Sequence, residues 1–158
     1  RDEIEHVRIY LDIQKHRYPD ALVYSIDAEE DWAEEVRIPP LVLQTFVENA
    51  VKYAVSRISQ VHIALSVRWE RARSEDRMTI LITDTGPGFP PEILECLQNG
   101  TPLDQSAGNH IGIMNTLKRL ESLYNGDAVV SFSNRENGGA CVILSLPAEV
   151  GMNRSVAV

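Results

Sequence analysis

Asp84 closes an apolar run, MTILIT, and opens the hexapeptide DTGPGF, residues 84–89. An ionised carboxylate carried to the edge of a core needs hydrogen-bond donors, and the exocyclic amine of a purine would be one. Gly86 and Gly88 would let backbone approach a flat ring with no Cβ in the way. Taken alone, the same residues also read as a carboxylate capping a turn that the glycines bend. Further on, GNHIGIMN, residues 108–115, leads into a helical pattern. The unpaired N–H groups and partial positive charge of a helix entrance, with no side chain at Gly112, suit a phosphate. An ordinary loop entering a helix accounts for the pattern equally well.

The third polar cluster lies earlier, within PPLVLQTFVENAVKYAV, residues 39–55. On a 3.6-residue helix Leu43, Phe46, Val47, Ala50, Val51 and Ala54 form one apolar stripe. The other face collects Thr45, Glu48, Asn49, Lys52 and Ser56, with Tyr53 one turn beyond Asn49. An anion, an amide and a cation therefore project side by side. Glu48 and Lys52 also read simply as an i,i+4 surface ion pair. Pro39 and Pro40 suit a first turn, where a missing N–H costs nothing.

These segments need a scaffold, and the chain supplies alternating cues for one. Residues 1–18 read as a helix with Ile4, Val7, Leu11 and Tyr18 on one side, widened by Ile9 and Ile13, and ended by Pro19. Residues 21–27 read as a strand, followed by an acidic segment with room for one helical turn. Residues 61–69 alternate with period 2, and residues 78–83 return beyond a charged turn as the second strand of a hairpin. Residues 90–98 suit a short helix, and the polar stretch 99–108 suits a lid. A helix from Gly112 to about Tyr124 buries Ile113, Leu117, Leu120 and Tyr124. Residues 129–133 and 140–146 are strands flanking the Asn-Gly-Gly turn at 137–139. Helices segregated from an antiparallel-rich sheet predict an α+β sandwich, not a doubly wound fold.

Composition narrows the function. At 158 residues and 44% hydrophobic, the chain suits one domain with a real core. A net charge of -8 argues against nucleic acid as a partner, so an anionic ligand would need a local cradle. No GxxxxGK[ST] is present, which closes the P-loop route to a nucleotide. Cys96 and Cys141 show no metal spacing and read as reduced thiols. No apolar run approaches a membrane span. A chain that opens on Arg1 is expected to be a piece of a longer protein.

In combination and in this order, the three segments resemble the GHKL ATPase superfamily, and within it the ATP-binding catalytic domain of sensor histidine kinases. VENAVKY, residues 47–53, is similar to the N box, DTGPGF to the G1 box, and GNHIGIMNTLKRL, residues 108–120, to the G2 box. The approach IPPLVLQTFVENAVK and the helix EIEHVRIYLDIQKHRY are similar to the LytS/YesM type, which are membrane receptors paired with response regulators. The resemblance extends from about residue 1 to Pro147. It implies a two-layer α/β sandwich with a mixed, mainly antiparallel sheet. It also implies three parts: 1–18 continuing from an upstream dimerisation and phospho-acceptor segment, 19–148 as the ATP-binding domain, and 149–158 as a flexible tail.

Carried over residue by residue, the resemblance makes Asn49 a Mg²⁺ ligand and Glu48 the base or orienter for an acceptor imidazole. Lys52 and Tyr53 would steady phosphates, Asp84 would receive the adenine amine, and Gly86, Gly88, Gly108, His110, Ile111 and Gly112 would shape pocket and lid. ATP and Mg²⁺ are the implied ligands. The implied reaction moves a γ-phosphoryl group to a histidine of the upstream segment, for onward transfer to a response regulator, within a homodimeric full-length protein on the cytoplasmic side of a membrane. Rival implications are another GHKL ATPase or serine kinase, and a catalytically weak nucleotide-sensing or dimer-contact module. Three positions depart from the commonest pattern: His110 where a glycine is usual, Ala140 where relatives often carry Thr, and Tyr53 where this type often has His. His6 and His16 are expected to be solvated rather than phospho-acceptors, His62 to face outward on its strand, and Trp32 and Trp69 to cover core edges.

Overall fold

The computed structural model describes residues 2–29, 38–55, 60–71, 73–102 and 110–148. The expected acidic turn, Ser56, Trp32, Gly108, most of the lid stretch and the tail all fall outside them. Along the described chain run α1 (Asp2–Arg17), β1 (Leu22–Ala28), α2 (Val42–Ala54), β2 (Val61–Glu70), β3 (Arg77–Asp84), α3 (Pro91–Asn99), α4 (Ile111–Tyr124), β4 (Val129–Asn134) and β5 (Ala140–Pro147). The strands form one sheet in the order β1-β2-β3-β5-β4. β1 runs parallel to β2, and every other pair is antiparallel. The sheet is thus mixed and mainly antiparallel, as the sequence predicts.

Period-2 alternation gives the sheet its two faces. Val61, Ile63, Leu65 and Val67 of β2, Met78, Ile80 and Ile82 of β3, and Val142, Leu144 and Leu146 of β5 turn to one side and are buried. Leu81 and Ile143, which pair across β3 and β5, lie on the other side and stay exposed. The helices supply the second layer. α2 contributes Val42, Leu43, Phe46, Val47, Ala50, Val51 and Ala54, and the burial of each large member is worth about 1.5–3 kcal/mol. α4 adds Ile113 and Leu120, and α1 adds Ile4, Val7 and Leu11 to the same core.

Two local expectations are corrected. Ile9 and Ile13 are 50% and 59% exposed and do not widen the buried stripe. Each lies two residues past a core residue, Val7 or Leu11, which is about 200° round a helix. Pro39 and Pro40 precede α2 rather than forming its first turn. Pro40 steers Pro39 away from helical ψ, and Leu41 takes a left-handed φ of 66° before the helix starts at Val42.

With no capping side chain of its own, α2 borrows one from α1. The N–H of Leu41 donates to Glu3 Oε2 at 3.1 Å and that of Gln44 to Glu3 Oε1 at 3.3 Å. From the other side, the guanidinium of Arg119 on α4 donates to the carbonyl of Pro40. The helix that carries Asn49 is therefore held at its start by both neighbours.

Candidate functional site

Even-numbered residues of β3 face the helices, so the last of them, Asp84, is carried inward opposite Ile63 and is 7% exposed. Its Oδ1 accepts two backbone N–H bonds, from Gly86 at 2.8 Å and from Ala140 at 3.3 Å. Burial pushes the carboxyl pKa up, and the two amides and the nearby Arg135 pull it back. Both amide bonds go to Oδ1, which among the described residues leaves Oδ2 for the donor of a ligand.

The loop after Asp84 is held from two directions. A Cβ on Gly86 would stand 2.8 Å from Ala54 of α2, so the glycine lets the loop lie against the helix. On the far side the β4–β5 turn closes over the strand end. Gly139 has a φ of +100°, and a Cβ there would stand 1.8 Å from the carbonyl oxygen of Asp84. Asn134 grips the loop further on: Phe89 N–H donates to its Oδ1 at 2.7 Å, and its Nδ2 donates to the carbonyl of Phe89 at 2.9 Å. Arg135 donates to the carbonyl of Asp84 at 3.1 Å.

Between this loop, α2 and the entrance of α4 lies a narrow cleft, whose non-atom space amounts to about 460 Å³ with open solvent included. Asn49, Tyr53, Asp84, Gly88 and His110 line it, with the apolar floor given by Phe46, Ile82, Phe89 and Val142. A mostly apolar slot with one inward carboxylate suits a flat heterocycle that carries an amine. Tyr53 and His110 meet ring to ring at 4.6 Å and 9°. His110 is 4% exposed, and burial, with repulsion from Lys52, holds its pKa below the usual imidazole value.

Glu48 and Lys52 line a different hollow. With Tyr10, Gln14, Arg17 and Tyr18 they face a groove of about 1050 Å³ between α1 and α2. Glu48 accepts a hydrogen bond from Gln44 Nε2 at 2.7 Å. Burial, with the charge of Glu48, pushes the Tyr10 hydroxyl up to about 12. Gly86 packs behind the cleft, and Ile111 is exposed. Gly112, in the first turn of α4, faces Thr45 one turn before Asn49, and a Cβ there would stand 3.6 Å from Thr45 Cγ2. Asn134 and Arg135 were not among the sequence-derived candidates, because a strand-end asparagine and arginine before a turn show no spacing that marks them. Ala140, which has no polar side-chain atom, serves Asp84 through its backbone N–H.

Among the described residues no three His, Cys, Asp or Glu side chains group to cage a metal ion. The amide oxygen of Asn49 alone suits Mg²⁺, which keeps waters and is bound through one or two protein oxygens plus phosphates. Of the other histidines, His6, His16 and His62 are exposed as expected, and His62 Nε2 lies 3.1 Å from Ser25 Oγ. The indole of Trp69 is half-buried under the guanidinium of Arg71 at 5.2 Å.

The family model of histidine kinase-, DNA gyrase B- and HSP90-like ATPases matches residues 36–150. The sensor protein LytS of Oceanobacillus iheyensis is 31% identical over 139 residues, covering 86% of this chain and 23% of that protein. The sensor histidine kinase/phosphatase LytS of Staphylococcus aureus is 29% identical over 137 residues, again covering 86% and 23%. The chain thus spans about a quarter of the length of these curated relatives. Among solved structures, the catalytic domain of histidine kinase ThkA superposes with a TM-score of 0.66 at 15% identity, covering 93% of this chain and 90% of that one. The histidine kinase domain of a blue-light activated kinase from Erythrobacter litoralis gives 0.58 at 16% identity, covering 91% and 60%. At such identities the structural likeness concerns the fold.

Proposed function

Because this chain belongs to the family of histidine kinase-, DNA gyrase B- and HSP90-like ATPases, we propose that it is the ATP-binding catalytic domain of a sensor histidine kinase. In this reading it transfers the γ-phosphoryl of ATP to a histidine on a segment upstream of α1. The observation that carries the reading is one cleft that holds a buried, half-satisfied Asp84 carboxylate together with Asn49 and the entrance of α4.

The adenine amine donates to Asp84 Oδ2, and the ring lies on the apolar floor. Phosphates extend toward the first turn of α4, whose N–H groups have no acceptor within the helix and where Gly112 offers no side chain. Tyr53 lines their path, Lys52 acts on them by its charge from the adjoining groove, as it does on His110, and Asn49 holds Mg²⁺. That ion, when bound, neutralises charge on the phosphates and fixes their geometry. Glu48 and Lys52 face the α1–α2 groove, so the acceptor imidazole approaches from the α1 side. Its nitrogen bonds to the γ-phosphorus as the bond to the β,γ-bridging oxygen breaks, ADP leaves, and Glu48 takes the imidazole proton. Positioning supplies most of the rate.

In the same reading, 1–18 ends a helical segment that bears the acceptor and joins two subunits, 19–148 is the nucleotide-binding unit, and 149–158 is a tail. The phosphoryl group then passes to a response regulator. No described helix is long and apolar enough to cross a membrane. The test is incubation of this chain with γ-labelled ATP, alone and with an added upstream segment. Label on the added segment alone is expected; acid-labile label on His6 or His16 would overturn the assignment.

A further inference from the structure

His110 is buried more deeply than a polar side chain at a helix entrance requires. Its Nδ1 is closed off from solvent and finds no hydrogen-bond partner among the described residues, although most buried polar atoms have one. The imidazole is not used for capping, since it makes no side-chain bond to the first turn of α4. Its ring is fixed instead by the flat stack on Tyr53, within the cleft that Asn49 and Asp84 share.

The surroundings select the missing partner. α4 is a 14-residue helix whose positive end begins at His110. The Lys52 ammonium is near enough to disfavour a second positive charge on the ring. A neutral imidazole in an electropositive corner with Nδ1 unpaired suits an anionic oxygen that accepts from Nδ1–H.

We propose that His110 contacts the ligand directly, its Nδ1–H donating to a phosphate oxygen of the nucleotide, with Tyr53 as the positioning residue that holds the ring. The inference rests on the reading of the cleft as a nucleotide site and adds to it a side-chain phosphate donor at a point where a helix entrance otherwise offers backbone alone.

The experiment is calorimetric titration of this chain with ADP and with adenosine, both without divalent metal, for the unaltered protein and for His110→Phe, His110→Gln and His110→Asn. Phe keeps the stacked ring and lacks a donor. The amide nitrogen of Asn falls near Nδ1 of the imidazole, and that of Gln falls near Nε2. The expected result is that Phe and Gln weaken ADP roughly ten- to a hundredfold, that Asn restores most of the affinity, and that adenosine is unaffected. If the unaltered chain fails to bind ADP, the reading of the cleft falls and this inference with it. If it binds ADP and His110→Phe binds ADP equally or more tightly, or if adenosine suffers as much as ADP, the imidazole is packing or a plug and the proposal alone is overturned. Should the variants fail to fold, the ¹⁵N resonance of Nδ1 in the unaltered protein decides. A shift on addition of ADP and none with adenosine supports the contact, and an unmoved resonance overturns it.

Discussion

The Oδ1 atom of Asp84 accepts the backbone N–H of Ala140, 56 residues further along the chain, at 3.3 Å. One bond thus joins the loop that would hold a base to the hairpin that closes behind it. The carboxylate is satisfied on one oxygen and buried, and burial holds its pKa above the ordinary carboxylate value.

Replacement of Asp84 by Asn should therefore separate stability from binding. The amide oxygen still accepts from Gly86 and Ala140, and the cost of a buried charge disappears. An acid with a raised pKa binds more protons folded than unfolded, so the stability cost of its ionisation is full above the folded pKa, falls as pH drops from the folded toward the unfolded pKa, and is gone below the unfolded one. Asp84→Asn should melt higher than the unaltered chain at pH 7, and the difference should shrink as pH falls through the Asp84 titration. Adenine nucleotide affinity should fall roughly ten- to a hundredfold, because an amide NH₂ at the Oδ2 position repels the adenine amine. Thermal melts against pH and a nucleotide titration check both arms.

Asn134→Ala removes both bonds to Phe89 and leaves a part-buried N–H and C=O unpaired. Urea unfolding should show a loss of about 1–3 kcal/mol. Nucleotide affinity should weaken as well, since Gly88 and Phe89 line the cleft.

Gly112→Ala meets only Thr45 Cγ2, at an ordinary 3.6 Å. Inside a helix Ala is favoured over Gly by about 1 kcal/mol, so the fold should be kept or stabilised. A methyl group in the proposed phosphate cradle should nevertheless weaken ADP more than adenosine. Equal binding of both ligands by the variant would place the phosphates elsewhere.

Glu3→Ala withdraws the carboxylate that caps α2 from α1. A lost N-cap costs about 0.5–2 kcal/mol. Glu3→Gln should recover part of it, because its amide oxygen still accepts one N–H. Chemical unfolding of the two variants side by side measures the difference.

The sheet and helices were legible because each is written in a period: the alternation of Val61 to Val67 and the stripe of Leu43, Phe46, Val47, Ala50, Val51 and Ala54 both match what is buried. Failures came where a contact across the fold overrides a local rule. Ile9 and Ile13 read as core by composition and are turned out by the register of Val7 and Leu11. Pro39 and Pro40 read as a first turn, yet the start of α2 is fixed by Glu3 and Arg119 from other helices. In the site, Asp84 and its glycines were legible as a strand end followed by a bend. Asn134 and Arg135 were not, since their partners, Phe89 and Asp84, lie 45 and 51 residues away. The facing of Glu48 into a second groove also depends on where α1 lies, which no spacing within α2 records.

The most direct test is the thermal shift of this chain with ADP, with and without Mg²⁺, for the unaltered protein and for Asn49→Ala. A site ligand at 100 times its dissociation constant adds roughly 2.7 kcal/mol of stability. A shift with ADP that grows when Mg²⁺ is added is expected, with an Asn49→Ala variant that keeps the metal-free shift and loses the increment. No shift with either ligand form, or an increment unchanged in Asn49→Ala, would contradict it.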